Sequence, residues 1–451
     1  MNSNRNKQRI YKFLFAAVIL CFEAILFRYV WLKYYNPNLH RPFWNRGNWF
    51  LLALYMVVLL FFLVTYGGLD IGVLKLSNII YSHSFALVIA GTFAYLLITW
   101  ADQRMVSPAM LMLMTAVDIV AASLWTWLFS RIFHHKFPAR RVLVVNGDRN
   151  VKALIRKMNS RLDKFYVDGQ VNVSEGMDEV LRRVHEHECV LIGDIGSQER
   201  LDLIKYCYEH SIEAYSLPKL GDILIRSGHE MNMFDTELYY YANDDLQLDQ
   251  LLVKRIMDIV LSLAFLVLSS WIFLIAAIAI KLYDGGPVFY TQKRLTKNGK
   301  VFDILKFRTM IPDAESVSGA VLAEEDDPRI TPAGRVLRAT RMDELPQLIN
   351  ILKGEMSMVG PRPERPELAA EIEKKMPEFR YRLKFKAGLT GFAQVFGKYN
   401  TTSYDKLKLD LAYMTNYSFW LDIKIILMTP KILFMKEATE GIEHEDNKNR
   451  L

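Results

Sequence analysis

Cysteine is scarce and scattered: Cys21, Cys189 and Cys207 are the only three in 451 residues, and no two are spaced as CxxC. That excludes a disulfide framework and a thiolate metal site, and it fits a reducing compartment. Equally absent is a long run of Lys and Arg interleaved with aromatics, so a formal charge of +7 and a pI of about 9.0 do not point to nucleic acid. The basic residues instead flank apolar runs, as at a membrane surface. No small-residue cleavage site follows the first apolar run, so its basic lead (Arg5, Lys7, Arg9, Lys12) reads as part of a retained segment, not a removed signal peptide. What is abundant is apolar residues, 51% of the chain, with a mean hydropathy of +0.09. That exceeds what one soluble core of this length uses, and it predicts a membrane protein.

Four apolar stretches open the chain, at 13–31, 49–66, 85–100 and 108–129, each near the ~20 residues of a spanning helix. They predict a four-helix transmembrane domain over residues 1–135. Basic residues before the first and after the fourth (Arg131, Lys136, Arg140, Arg141) place both ends in the cytoplasm, although Lys33, Arg41 and Arg46 lie in a loop on the other side. Asp118, inside the fourth run, has no evident partner and reads as an acid facing a neighbouring helix, with an intramembrane functional role as the alternative.

Over 136–245 short apolar strands (142–146, 189–192) alternate with helical patterns such as 151–161, the signature of a parallel α/β domain. Asn146-Gly147-Asp148 stands where a dinucleotide fold puts its phosphate turn, but GxGxxG is missing. A degenerate Rossmann-like module with a structural or regulatory role is the expectation. A fifth apolar run, 259–280, is long enough to span. Yet Lys254 and Arg255 precede it and Lys281, Lys293, Arg294, Lys297 and Lys300 follow it, which favours a re-entrant helix with both ends in the cytoplasm over a spanning one.

Beyond it, over 246–451, cations crowd around one acid pair: Lys306, Arg308, Arg338, Arg341 and Arg362 with Asp343 and Glu344. Guanidinium forks and lysine ammonium groups suit phosphate oxygens, so the substrate implied is polyanionic. Neighbouring carboxylates on a helix diverge by about 100°, which separates their roles: one as a nucleophile toward phosphorus, the other holding magnesium. Singly, each has a structural reading, since Asp-Glu before Leu-Pro starts many helices and arginines usually sit on solvated faces.

The order of the motifs is more specific. Asp343-Glu-Leu-Pro-Gln-Leu-Ile-Asn350, Lys353-Gly-Glu-Met-Ser-Met-Val-Gly-Pro-Arg-Pro363 and Gly388-Leu-Thr-Gly-Phe-Ala-Gln-Val395 resemble the monotopic phosphoglycosyl transferases of the bacterial sugar transferase family. The resemblance runs from about residue 254 to 431. With the preceding spans, the chain is similar to the large polyprenyl-phosphate hexose-1-phosphate transferases that begin capsule, exopolysaccharide or O-antigen repeat units. It implies that Asp343 attacks the sugar-bound phosphate of a UDP-sugar to form an aspartyl intermediate, that Glu344 helps hold Mg2+, and that polyprenyl phosphate takes the phosphosugar. It also implies a membrane helix that breaks within one leaflet of the inner membrane, the catalytic domain being cytoplasmic. Two departures stand out: the family's Ser-Pro break is here Ser269-Ser270 without proline, and its Gly-Arg-Asn is Gly397-Lys-Tyr-Asn400, with Lys398 as the replacement phosphate contact. Expected partners are a UDP-sugar, polyprenyl phosphate and membrane lipid, with a homodimer left open and no nucleic acid. A catalytically silent scaffold of polysaccharide assembly is the alternative, and the intact acid pair argues against it.

Overall fold

The structure, a computed structural model, describes residues 2–147, 152–233, 235–241, 246–311, 327, 329–397 and 401–433. The chain divides into two compact units, Met1–Leu217 and Pro218–Leu451.

The first unit begins with helices α1 (Asn2–Val30), α2 (Asn45–Tyr66), α3 (Leu76–Asp102) and α4 (Ala109–Lys136). The four apolar runs fall within them to within a residue, and α1 continues past Val30 into a π turn, Trp31–Tyr35. Gly67 ends α2 in the left-handed region at φ 72°, where its amide reaches back to the Leu63 and Val64 carbonyls. Phe15, Ile71, Ile79, Phe129 and Phe133 pack together inside, and Phe27 of α1 stacks on Tyr55 of α2 at 4.0 Å. On the outside Phe13, Val57, Leu96 and Leu124 are well over half exposed. An apolar exterior over helices of this length is what a lipid environment demands. Among the described residues five helices are long and apolar enough to cross a membrane, these four and one in the second unit.

After α4 the chain enters a four-stranded parallel sheet of order β2-β1-β3-β4: β1 (Arg140–Asn146), β2 (Phe165–Asn172), β3 (Cys189–Ile192) and β4 (Glu213–Ser216). Helices α5 (Lys152–Asn159), α6 (Met177–His185) and α7 (Ser197–Glu209) connect them. The run Val142-Leu-Val-Val145 is buried throughout because both faces of β1 are covered. Leu143 and Val145 pack with Val180, Val184 and Leu203, while Val142 and Val144 pack with Met158. The strands read from the sequence coincide with β1 and β3. Asp148 of the expected phosphate turn lies outside the described residues.

The second unit opens with α8 (Leu220–Arg226) and the hairpin β5 (His229–Met233)–β6 (Thr236–Tyr240), then α9 (Leu248–Asp284). A second hairpin, β7 (Phe289–Leu295)–β8 (Val301–Phe307), leads through α10 (Pro332–Ala339) and α11 (Gln347–Lys353) to β9 (Ser357–Val359). Then come α12 (Pro366–Lys375), β10 (Gly388–Thr390), α13 (Phe392–Phe396), α14 (Ser403–Thr415) and α15 (Phe419–Leu433). β9 and β10 run parallel, and Gly360 and Gly388 allow their close approach. A Cβ on Gly360 would stand 2.2 Å from the Lys386 carbonyl oxygen, and one on Gly388 2.1 Å from the Gly360 nitrogen.

Helix α9 differs from expectation at its middle. It is one helix of 37 residues that continues through Ser269 and Ser270 without interruption. Both hydroxyls do bond back to carbonyls, Ser269 to Phe265 at 2.6 Å and Ser270 to Val267 at 2.9 Å. Such bonds replace no helical hydrogen bond and so do not by themselves end a helix. Both ends of α9 pack within the second unit. Near its start, Lys254 donates to the Val359 carbonyl and Asp422, Arg255 to the Ile351 and Leu352 carbonyls, and Asp258 accepts from Met358 and Ser357. Toward its end, Phe273, Ala276 and Ile280 pack on Phe307, Leu337, Met342 and Leu345. Between these anchors Val267, Leu268 and Trp271 are 73%, 69% and 60% exposed.

Candidate active site

Asp343 and Glu344 sit on a single 3-10 turn, Met342–Glu344, not on an α-helix. The turn is entered through Arg341 in the left-handed region, φ 57° and ψ 16°, a conformation uncommon for a residue with a side chain. Met342 and Leu345, on either side of the pair, are seated under the second half of α9. The pair is thus fixed by apolar packing at both edges.

Glu344 is held by cations from two other elements. Lys306, near the end of β8, donates to its Oε1 at 3.1 Å, and Arg362, just after β9, donates to the same oxygen at 3.0 Å. Burial alone would raise the Glu344 pKa, but Arg362, Lys306 and Arg341 together hold it well below the usual carboxylate range. Glu344 is therefore ionised at any physiological pH. Asp343 is 9% exposed, and its pKa goes the other way. Burial raises it first, the Glu344 charge adds to that, and Lys306, Arg338 and Arg341 oppose both. Two adjacent carboxyls with opposite shifts divide naturally into a charged holder and a group whose reactivity depends on its surroundings.

Of the expected phosphate-binding residues, Lys306, Arg341 and Arg362 are brought to the acid pair. Arg338 is close enough to Asp343 for charge attraction, and its Nε donates to Thr309 Oγ1 at 2.9 Å. Arg308 is directed elsewhere, onto Asp284 at the end of α9, where it helps close the helix onto the β7–β8 hairpin. Lys398 lies outside the described residues. A small cavity opens beside Glu344, lined also by Arg294, Lys306, Gln347, Arg362 and Gly388. Arg294 belongs in the sequence to the basic flank of α9 and to the polar motif Gly286–Arg294, without a phosphate-binding assignment. Its signal was the alternation along β7, in which Tyr290, Gln292 and Arg294 share the less exposed face.

Arg362 is itself positioned. Its carbonyl accepts from Arg382 at 2.8 Å, and Arg382 is 4% exposed and paired with Asp410, 1% exposed, at 2.9 Å. Burial pushes the Asp410 pKa up to about 6 despite that arginine. From the other side, Lys254, Tyr413 and Asp422 form a buried polar group against the Val359 carbonyl, at the end of the strand that leads to Arg362. The first half of α9 thus supports Arg362 and the second half supports the acid pair.

No group of three or more His, Cys, Asp and Glu side chains converges among the described residues. A transition-metal site is not what this donor set resembles. An ionised Glu344 with Asp343 beside it does fit magnesium, which takes one or two carboxylates and draws its other ligands from water and phosphate.

The model of the family described as bacterial sugar transferase matches residues 249–436, the stretch from α9 onward that carries this site. The chain is 36% identical to the galactosyl transferase CpsE of Streptococcus agalactiae serotype III over 50% of its own length and 51% of that protein's. It is 32% identical to an undecaprenyl-phosphate glucose phosphotransferase of Komagataeibacter xylinus, over 65% of this chain and 59% of the relative. It is 39% identical to a UDP-glucose:undecaprenyl-phosphate glucose-1-phosphate transferase of Caulobacter vibrioides, over 41% of this chain and 71% of the relative. The first two are thus matched over little more than half of their length, the third over most of it. With the motifs in order and the acid pair at the centre of the matched stretch, the chain belongs to the bacterial sugar transferase family.

Proposed function

We propose that the chain transfers a hexose 1-phosphate from a UDP-sugar to polyprenyl phosphate, undecaprenyl phosphate in bacteria, with release of UMP. The observation that carries this reading is the split character of the acid pair, a buried Asp343 beside a Glu344 kept ionised by Lys306 and Arg362. An Asp343 carboxylate oxygen attacks the sugar-bound phosphorus, the bond from that phosphorus to the UMP oxygen breaks, and UMP leaves with both electrons. An oxygen of polyprenyl phosphate then attacks the aspartyl phosphosugar, and the Asp343 carboxylate departs unchanged. Arg338 and Arg341 stabilise charge at Asp343 and on the phosphoryl group passing over it, while Lys306 and Arg362 keep Glu344 fixed and face the donor's phosphates. Glu344, with Asp343 beside it, would hold magnesium, which would neutralise charge on the phosphate oxygens. The activities for which the relatives are named support this substrate class, and the product is the first lipid-linked sugar of an exopolysaccharide or capsule unit.

The reading keeps both ends of α9 on the cytoplasmic side of the inner membrane, with the exposed apolar middle of the unbroken helix seated in the near leaflet. Support comes from the packing of both ends within one unit, around an exposed apolar middle. A helix whose two ends must reach opposite faces of a bilayer would leave one of those anchors without its partner.

The test is UMP release from membranes carrying the protein, offered polyprenyl phosphate and a panel of UDP-glucose, UDP-galactose and N-acetylated UDP-hexosamines. One sugar should give turnover, and Asp343→Asn should abolish it while the protein stays folded. Substantial turnover by Asp343→Asn refutes the covalent assignment; no turnover with any sugar refutes the reaction.

A further inference from the structure

Glu23 on α1 and Asp118 on α4 are 2% and 1% exposed and lie side by side, close enough for the carboxyls to interact directly. None of their four oxygens receives a hydrogen bond from an N–H or O–H donor among the described residues. Tyr55 of α2, 2% exposed, is the third polar group at the spot, interacting with both acids. Among the described residues no lysine or arginine appears among the groups that act on the pair. The buried titratable groups of α3 are engaged elsewhere, His83 on the Gly68 carbonyl and Asp102 on the His40 amide.

Two ionised carboxylates cannot stay in contact in such a place. Each lacks the water or donors that would offset its desolvation, and each repels the other. The arrangement requires one positive charge that the described residues do not supply. We propose that the Glu23–Asp118 pair is a proton-binding site that latches α1 to α4, with one proton shared between the two carboxyls at neutral pH. The shared proton makes a short charge-assisted O–H···O bond across the helix interface, and its loss to water turns that bond into a repulsion. Because α4 runs almost directly into β1, the central strand of the parallel sheet, the latch ties the state of the membrane helices to the α/β layer within the first unit.

The test uses the full chain in lipid nanodiscs, in heavy water, by infrared spectroscopy of the protonated-carboxyl stretch. At neutral pH the wild type should show a band that both Glu23→Gln and Asp118→Asn remove. Raising the pH should abolish it, and the melting temperature of the wild type should fall over the same range. The double variant Glu23→Gln/Asp118→Asn, near-isosteric and uncharged, should melt without that pH dependence. Absence of any variant-sensitive band at neutral pH overturns the proposal. So does a band that sodium chloride abolishes at constant pH, which would make the pair a seat for a metal cation.

Discussion

Removing the Asp422 carboxylate should destabilise the second unit by about 3 kcal/mol. Lys254 is 6% exposed and Asp422 fully buried, and the ammonium donates to Asp422 Oδ2 at 2.6 Å, the Val359 carbonyl at 2.9 Å and the Tyr413 hydroxyl at 3.2 Å. Deleting one partner of a buried ion pair typically costs ~3–5 kcal/mol, because the other charge stays buried. Here two neutral acceptors remain on Lys254, which places Asp422→Ala at the lower end. For a unit of this size that corresponds to roughly 6–12 °C in melting temperature. Intrinsic fluorescence of the purified full chain, followed on heating, is the readout. The double variant Lys254→Met/Asp422→Leu removes both charges and should recover at least half of the loss, since a buried pair replaced by apolar groups of similar size is often neutral. The same Asp422→Ala should raise KM for the sugar nucleotide, as β9 leads directly to Arg362. A shift under about 2 °C, or a double variant no better than the single one, would refute the view that this pair anchors the helix.

Further outcomes follow from the site. Since burial lifts the Asp343 pKa and Lys306 and Arg338 restrain it, kcat should fall with acidification at a pH above the ordinary carboxylate range, and Arg338→Gln should move that limb higher still; an unmoved limb in a still active variant removes Arg338 from the role. Glu344→Gln should raise the magnesium concentration needed for half-maximal UMP release, and full activity in metal-free buffer would dismiss the metal. Gly360→Ala drives a Cβ into the Lys386 carbonyl and should cost about 1–3 kcal/mol in unfolding experiments, whereas wild-type stability would mean that β9 and β10 part easily. Single cysteines placed just before Lys254 and just after Lys281, in a cysteine-free background, should both resist an impermeant thiol reagent on intact spheroplasts and react once the membrane is opened. Labelling of the downstream one alone from outside would make α9 a spanning helix.

What the sequence disclosed was whatever is written locally. The apolar runs, the strands at 142–146 and 189–192, and the motif that puts Asp343 and Glu344 together needed only neighbours in the chain. Partnerships over long separations were invisible to it. Asp118 looked solitary because Glu23 belongs to another helix, and Asp422 is 168 residues from the lysine it holds. Arg308 was grouped with the phosphate ligands on charge alone, and only the fold reveals Asp284 as its partner. The acid pair was expected on an α-helix, but the left-handed Arg341 starts a tighter turn that no propensity scale assigns to arginine. At Ser269 and Ser270 the hydroxyls behave as back-bonding serines do, yet without proline every backbone donor stays available and the helix persists.

Helix α9 is clamped at both of its ends, and so it has no loose end with which to adjust to its surroundings. An ordinary membrane helix meets a thicker or thinner bilayer by tilting about a free loop. In α9 any tilt pulls on β9 at one end or on the turn of Met342–Glu344 at the other, the two supports on which Arg362 and the acid pair stand. On the proposed reading, lipid composition should act as a mechanical load on the geometry of the candidate site. Turnover should vary with acyl-chain length in reconstituted membranes even where the lipid substrate is saturating.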